Sequence, residues 1–81
     1  MDKLTNAIFS SARYNQPCHV EIDGCFEVYV RYGRDDELHC DYVDVFYSGN
    51  DEFVMRVAFT GELTQTADAI YAALRVISVR D

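Results

Sequence analysis

The sequence predicts an α+β fold of order αββββα, a two-layer sandwich with two helices on one face of a four-stranded antiparallel sheet. Three observations lead there. Apolar residues recur every three or four positions near both ends of the chain, and between them they alternate with polar ones. Every connection is also short enough to join neighbouring elements. The 81 residues read as a single acidic domain, 1–81. Its stability should be modest, on the order of 5–10 kcal/mol.

Asp2 to Tyr14 has the pattern of an amphipathic helix. Asp2 can cap its first turn, and Leu4, Ala7, Ile8 and Ala12 form the expected buried stripe, with Phe9 at its edge. Asn15-Gln16 reads as the exit, because Pro17 bars continuation. Cys18 to Ile22 alternates next, then Cys25 to Tyr32. A three-residue loop, Ile22-Asp23-Gly24, pairs Val20 with Phe26 and Glu21 with Cys25, and places Gly24 where a left-handed residue is needed.

Gly33 to Glu37 is the following turn, and Leu38 to Tyr47 the third strand. Burying Val43, Val45 and Tyr47 exposes Tyr42, Asp44 and Phe46. The opposite choice would carry Asp44 inward, where an unpaired carboxylate is costly. After a turn at Ser48-Gly49-Asn50-Asp51, Glu52 to Thr60 returns with Phe53, Met55, Val57 and Phe59 facing in. Leu63 to Val79 is the second helix. Leu63, Ala67, Ile70, Leu74 and Ile77 lie along one stripe, and Thr64 or Thr66 is available as a cap. Both helices need an apolar floor, and one sheet face supplies it. The other face is left to water.

Composition narrows the function classes. Ten carboxylates between Cys18 and Thr60 stand against three arginines and account for the formal net charge of −7. A sequence pI near 4.5 argues against nucleic acid or an anionic membrane as direct partner and suits a basic protein. The first residues carry no apolar signal-like stretch, and no apolar run approaches the roughly 20 residues of a membrane helix. A cytoplasmic location with reduced cysteines is the expectation.

The outer face would carry His19, Glu21, Glu27, Tyr29, Arg31, Tyr42, Asp44, Phe46, Val54 and Arg56. Carboxylates on one face of a strand fall roughly 6.6–6.8 Å apart, close to two phosphate steps of ~3.4 Å along DNA. Such a face can imitate a strip of phosphates, with Tyr29, Tyr42 and Phe46 as aromatic anchors. Ordinary solubilising charge is the plainer reading of the same residues. Asp35, Asp36 and Glu37, with Asp41, lack the ligand spacing of a calcium loop and read as a projecting acidic turn.

Cys18, His19, Cys25, His39 and Cys40 have zinc-type chemistry. Adjacent strand residues point to opposite faces, however, and no Cys-x-x-Cys spacing is present. Cys18 and Cys25 lie on opposite faces in this register, so free thiols are expected. Ser10 and Ser11 have no evident base beside them. The chain therefore reads as a non-enzymatic protein without cofactor or metal.

In size, charge and layout the chain resembles the small acidic anti-CRISPR and DNA-mimic inhibitors made by phages. Glu21, Glu27, Asp35, Asp36, Glu37, Asp41 and Asp44 carry the resemblance, without a diagnostic motif. It implies an inhibitor acting in the cytoplasm of a bacterial host, with its acidic face on the DNA-reading surface of a CRISPR effector complex. An immunity- or antitoxin-like protein that neutralises a basic nuclease or toxin wants the same acidic surface. A structural homodimer joined through its exposed aromatics is the third alternative, so monomer and homodimer both stay open.

Overall fold

The computed structural model places helix α1 at Lys3–Tyr14, strands β1 at Cys18–Ile22, β2 at Phe26–Asp35, β3 at Cys40–Tyr47 and β4 at Phe53–Phe59, and helix α2 at Leu63–Arg80. It describes residues 3–22 and 26–80, leaving aside the side chains of Phe26 and of residues 78–80. The expected α+β order holds. The sheet is a meander, β1-β2-β3-β4, with every pair antiparallel. The expected roles of Asp2, Gly24 and Cys25 fall outside the described residues.

One cluster forms the core. Leu4, Ala7 and Ile8 of α1 and Ala67, Ile70 and Leu74 of α2 meet Val20, Ile22, Val28, Val30, Val43 and Val45 of the sheet. The strand members alternate along each strand, so they define the inner side of the sheet. Leu63 and Tyr71 pack at the rim of this cluster.

The stripe of α1 differs from expectation: Thr5 is buried beside it, and its last member changes. Ala12 is exposed and Ser11 is buried. Helix geometry explains the exchange. At 3.6 residues per turn, position 12 lies roughly 80° around the axis from position 4, whereas position 11 returns to within about 20°. Ser11 carries a polar atom into the core, and the sheet satisfies it. β1 ends opposite Val30, and beyond that end the Tyr32 amide donates to the Ser11 Oγ at 3.0 Å. The helix ends as expected, at an Asn15 with φ of 54°, a left-handed exit that asparagine tolerates.

The β1–β2 pairing is shifted from the expected register. Val20 faces Val28, Glu21 faces Glu27 and Ile22 faces Phe26. A shift of two residues preserves parity, so every side chain keeps its face. It sets two carboxylates opposite one another. β2 also continues to Asp35, three residues past Tyr32, and β3 begins at Cys40, two residues later than Leu38. The Asp35 carboxylate fixes that boundary by accepting from the amides of Glu37 at 2.9 Å and Leu38 at 3.1 Å. His39, with φ of 54°, completes the turn.

β3 faces as expected, with Val43 and Val45 fully buried. β4 does not. A bulge between Val45 and Phe46 sets Met55 opposite Val45 but Phe53 opposite Phe46. The extra residue turns Phe53 to the outer side, where it is 53% exposed, and Val54 packs with Met55 against the core. Neither threonine caps α2 in the expected way. The Thr66 hydroxyl donates to the Glu62 carbonyl at 3.0 Å, and Thr64 is exposed. Among the described residues no helix is long and apolar enough to cross a membrane.

Replacing Ser11 by Ala removes the acceptor from the Tyr32 amide and leaves that donor unpaired. The expected cost is about 1–3 kcal/mol. Urea unfolding checks it: the midpoint should fall at unchanged slope, whereas an unchanged midpoint would show that the bond contributes nothing.

Candidate interaction face

Parity places side chains of all four strands in cross-strand rows on the outer side of the sheet. One row is aromatic from edge to edge. His19 faces Tyr29, Tyr29 faces Phe46, and Phe46 faces Phe53. The rings touch in sequence: His19 and Tyr29 centroids are 5.1 Å apart, Tyr29 and Phe46 stack at 4.9 Å, and Phe46 and Phe53 meet edge-to-face at 5.6 Å. These separations lie in the favourable range for aromatic pairs. A cleft of about 360 Å³ opens beside the row between Pro17, Arg31 and Asp51.

The neighbouring row is ionic. Arg31 and Arg56 both face Asp44, and Arg56 grips it with two bonds, Nε to Oδ1 at 2.7 Å and Nη2 to Oδ2 at 3.0 Å. Asp44 keeps only 7% of its surface exposed, against the expectation that it stands in water. Its parity is as expected. The cause of its burial is the arginine laid across it, which also rests on the Tyr42 ring at 3.9 Å from the centroid. Tyr42 lies flat over Gly33, its partner on β2, and a Cβ at that glycine would come within 2.5 Å of the ring. The missing side chain makes room for the ring.

On the other flank of the aromatic row, Glu21 and Glu27 face each other and both are exposed. The His19 Nδ1 lies 3.4 Å from Glu27 Oε1 and 2.9 Å from the Ser48 Oγ. Tyr29 is held by Asp51. Partial burial, then the hydrogen bond to Asp51, raises its phenol above the ordinary value.

The expected interface residues therefore divide. Glu21, Glu27, Tyr29 and Tyr42 share the outer face, and Asp35 lies in the same outer parity set at the far end of β2. Asp36 and Glu37 are exposed in the adjoining turn. Asp41 is on the inner parity set of β3, where its carboxylate accepts the Tyr32 hydroxyl. Glu27 and Asp35 stand at opposite ends of β2, about 26 Å apart at a strand rise of 3.3 Å per residue. The acidic groups thus frame the face instead of running continuously along it.

Sequence reasoning missed Phe53 as a member of this face. The signal was the uninterrupted apolar run Phe53-Val54-Met55, which breaks strict alternation where the bulge falls. Among the described residues no three His, Cys, Asp or Glu side chains gather as a metal site, and Cys18 and Cys40 are free thiols. Comparison with known protein families, curated proteins and solved structures returned no match to this chain.

Partial burial, then the bond to Asp41, pushes the Tyr32 phenol well above the usual range, and Tyr29 moves the same way. An unfolded chain begins to ionise its tyrosines near pH ~10 while the folded one holds these two neutral. The folded state then binds more protons. Its contribution to stability is complete below about pH 10 and is lost as pH rises through the folded values. In a phenolate absorbance titration, part of the signal from the six tyrosines should wait until the chain unfolds. The stability deficit of Tyr32→Phe should shrink over the same alkaline range. All six tyrosines titrating together near pH ~10 would contradict the assignment.

Proposed function

We propose that this domain is a non-catalytic binding protein that docks onto a basic, nucleic-acid-handling protein through the outer face of its sheet. The aromatic row carries the reading. Four rings in contact across a whole sheet, with Phe53 more than half exposed, are more apolar surface than solubility requires. Clustered aromatics are the groups that dominate binding energy when a partner covers them. Their surroundings set the sign of that partner. Exposed Glu21, Glu27 and Asp51 lie beside the row, and Asp36 and Glu37 project from the turn at the far end of the face, on a chain of net charge −7, which favours a surface rich in Lys and Arg.

This reading keeps the inhibitor proposal and changes its chemistry. Asp44 is already held by Arg56 and Asp41 by Tyr32, so neither is offered to a partner as a free phosphate-like group. Competition with DNA then rests on acids at the rim and rings at the centre. A CRISPR effector complex remains the partner class that the resemblance implies. The rim supplies steering and the rings supply residence time.

The test measures binding to purified CRISPR effector complexes and displacement of their DNA. Phe46→Ala and Phe53→Ser should each cost about 2 kcal/mol, roughly thirtyfold in Kd, with the circular dichroism spectrum unchanged. Affinity should also fall between about 0.1 M and about 1 M salt, as the screening length contracts from about 10 to about 3 Å. Folded variants that inhibit as well as the parent chain, or an affinity indifferent to salt, would remove this function.

A further inference from the structure

The meander leaves two edge strands, and they differ. The pairing of β4 is broken by the bulge opposite Val45 and Phe46. β1 is regular: all five of its residues, Cys18 to Ile22, pair with β2 in unbroken register. Among the described residues, its other side makes no backbone hydrogen bond. A regular edge with unused amides and carbonyls is a template for another strand.

The space beside that edge has the right form. Lys3, Asn6, Ala7 and Ser10 of α1 face residues 18–21 across a groove of about 500 Å³. Ala7 and Ser10 are small, so the groove beside β1 has room for an extended chain at the usual spacing of about 4.8 Å. Charge then selects the occupant. Glu21 directly opposes Glu27, an arrangement that destabilises a strand pair. Glu27 has His19 beside it, whereas Glu21 makes no ion pair among the described residues. A cation brought against Glu21 would offset that repulsion.

We propose that β1 accepts an extended segment of the basic partner protein as a fifth, antiparallel strand. This rests on the partner reading above and adds how the partner is held. In antiparallel order the segment meets Glu21, Val20 and His19 in turn. Its side chains alternate as those of β1 do. The residue beside Glu21 is Lys or Arg, the next is apolar and faces the α1 groove beside Val20, and the third is aromatic and extends the row past His19.

The probe is the blocked peptide Ser-Thr-Lys-Val-Tyr-Thr-Ser, titrated into isotope-labelled protein and followed by amide NMR. Shifts should centre on residues 18–22 and on positions 3, 6, 7 and 10, with slower hydrogen exchange along β1. Exchanging the peptide Lys for Glu, or N-methylating its Tyr, whose amide meets the free backbone groups of His19, should weaken binding at least about tenfold, the loss of one well-placed charge or backbone bond. In the protein, Glu21→Lys should do the same and Glu21→Gln should give a smaller loss. Binding indifferent to the sign of the charge would overturn the proposal. Shifts confined to Tyr29, Phe46 and Phe53 would overturn the edge strand and leave the face reading standing. Concentration-dependent shifts of β1 without peptide would make a second copy the occupant, which also overturns it. Silence towards peptide and effector complexes alike would remove both readings.

Discussion

Strand β3 has apolar side chains on both of its faces, and only one face can be buried against helices. Committing Val43 and Val45 to the core commits Tyr42, Asp44 and Phe46 to the other side. The outer face follows from that choice. Phe46 stacks on Tyr29 of β2, Asp44 is held by Arg56 of β4, and Tyr42 covers the space that Gly33 leaves. A slip of one residue in β3 would send Asp44 into the core and break all three contacts together.

The outer face shows how an acidic chain organises its charge. Where an acid would sit in the middle of the sheet, it is neutralised. Asp44 lies under a guanidinium that also stacks on a tyrosine. The unneutralised acids are pushed to the ends of β2 and into the turns, where water solvates them. The centre is left to rings. Electrostatic steering from the rim and apolar contact at the centre is the division of labour common in specific protein interfaces.

The elements themselves were legible in the sequence because each is specified locally. The period of the apolar residues gives two helices and four strands, and the cost of burying Asp44 gives the facing of β3. Features that need a partner distant in sequence were not legible. The β1–β2 register depends on which residues pair around the connection, and a shift of two leaves the alternation pattern intact. The bulge at Val45 and Phe46 is one extra residue in β4, and it moves Phe53 from core to surface without changing the composition of the strand. The pairing of Asp44 with Arg56 joins residues twelve apart in the chain through a register that no local pattern encodes. Ser11 was legible in principle. Its angle on the helix marks it for burial, and the Tyr32 amide gives its hydroxyl a donor there.

Four strands align a continuous row of rings on the side of the sheet opposite the core. Nuclear Overhauser contacts among the aromatic protons report on that row. Cross-peaks are expected from Tyr29 to Phe46 and from Phe46 to Phe53, with none from Phe53 to Ile70 or Leu74. Strong contacts between the Phe53 ring and those helix residues would instead place it in the core and break the row.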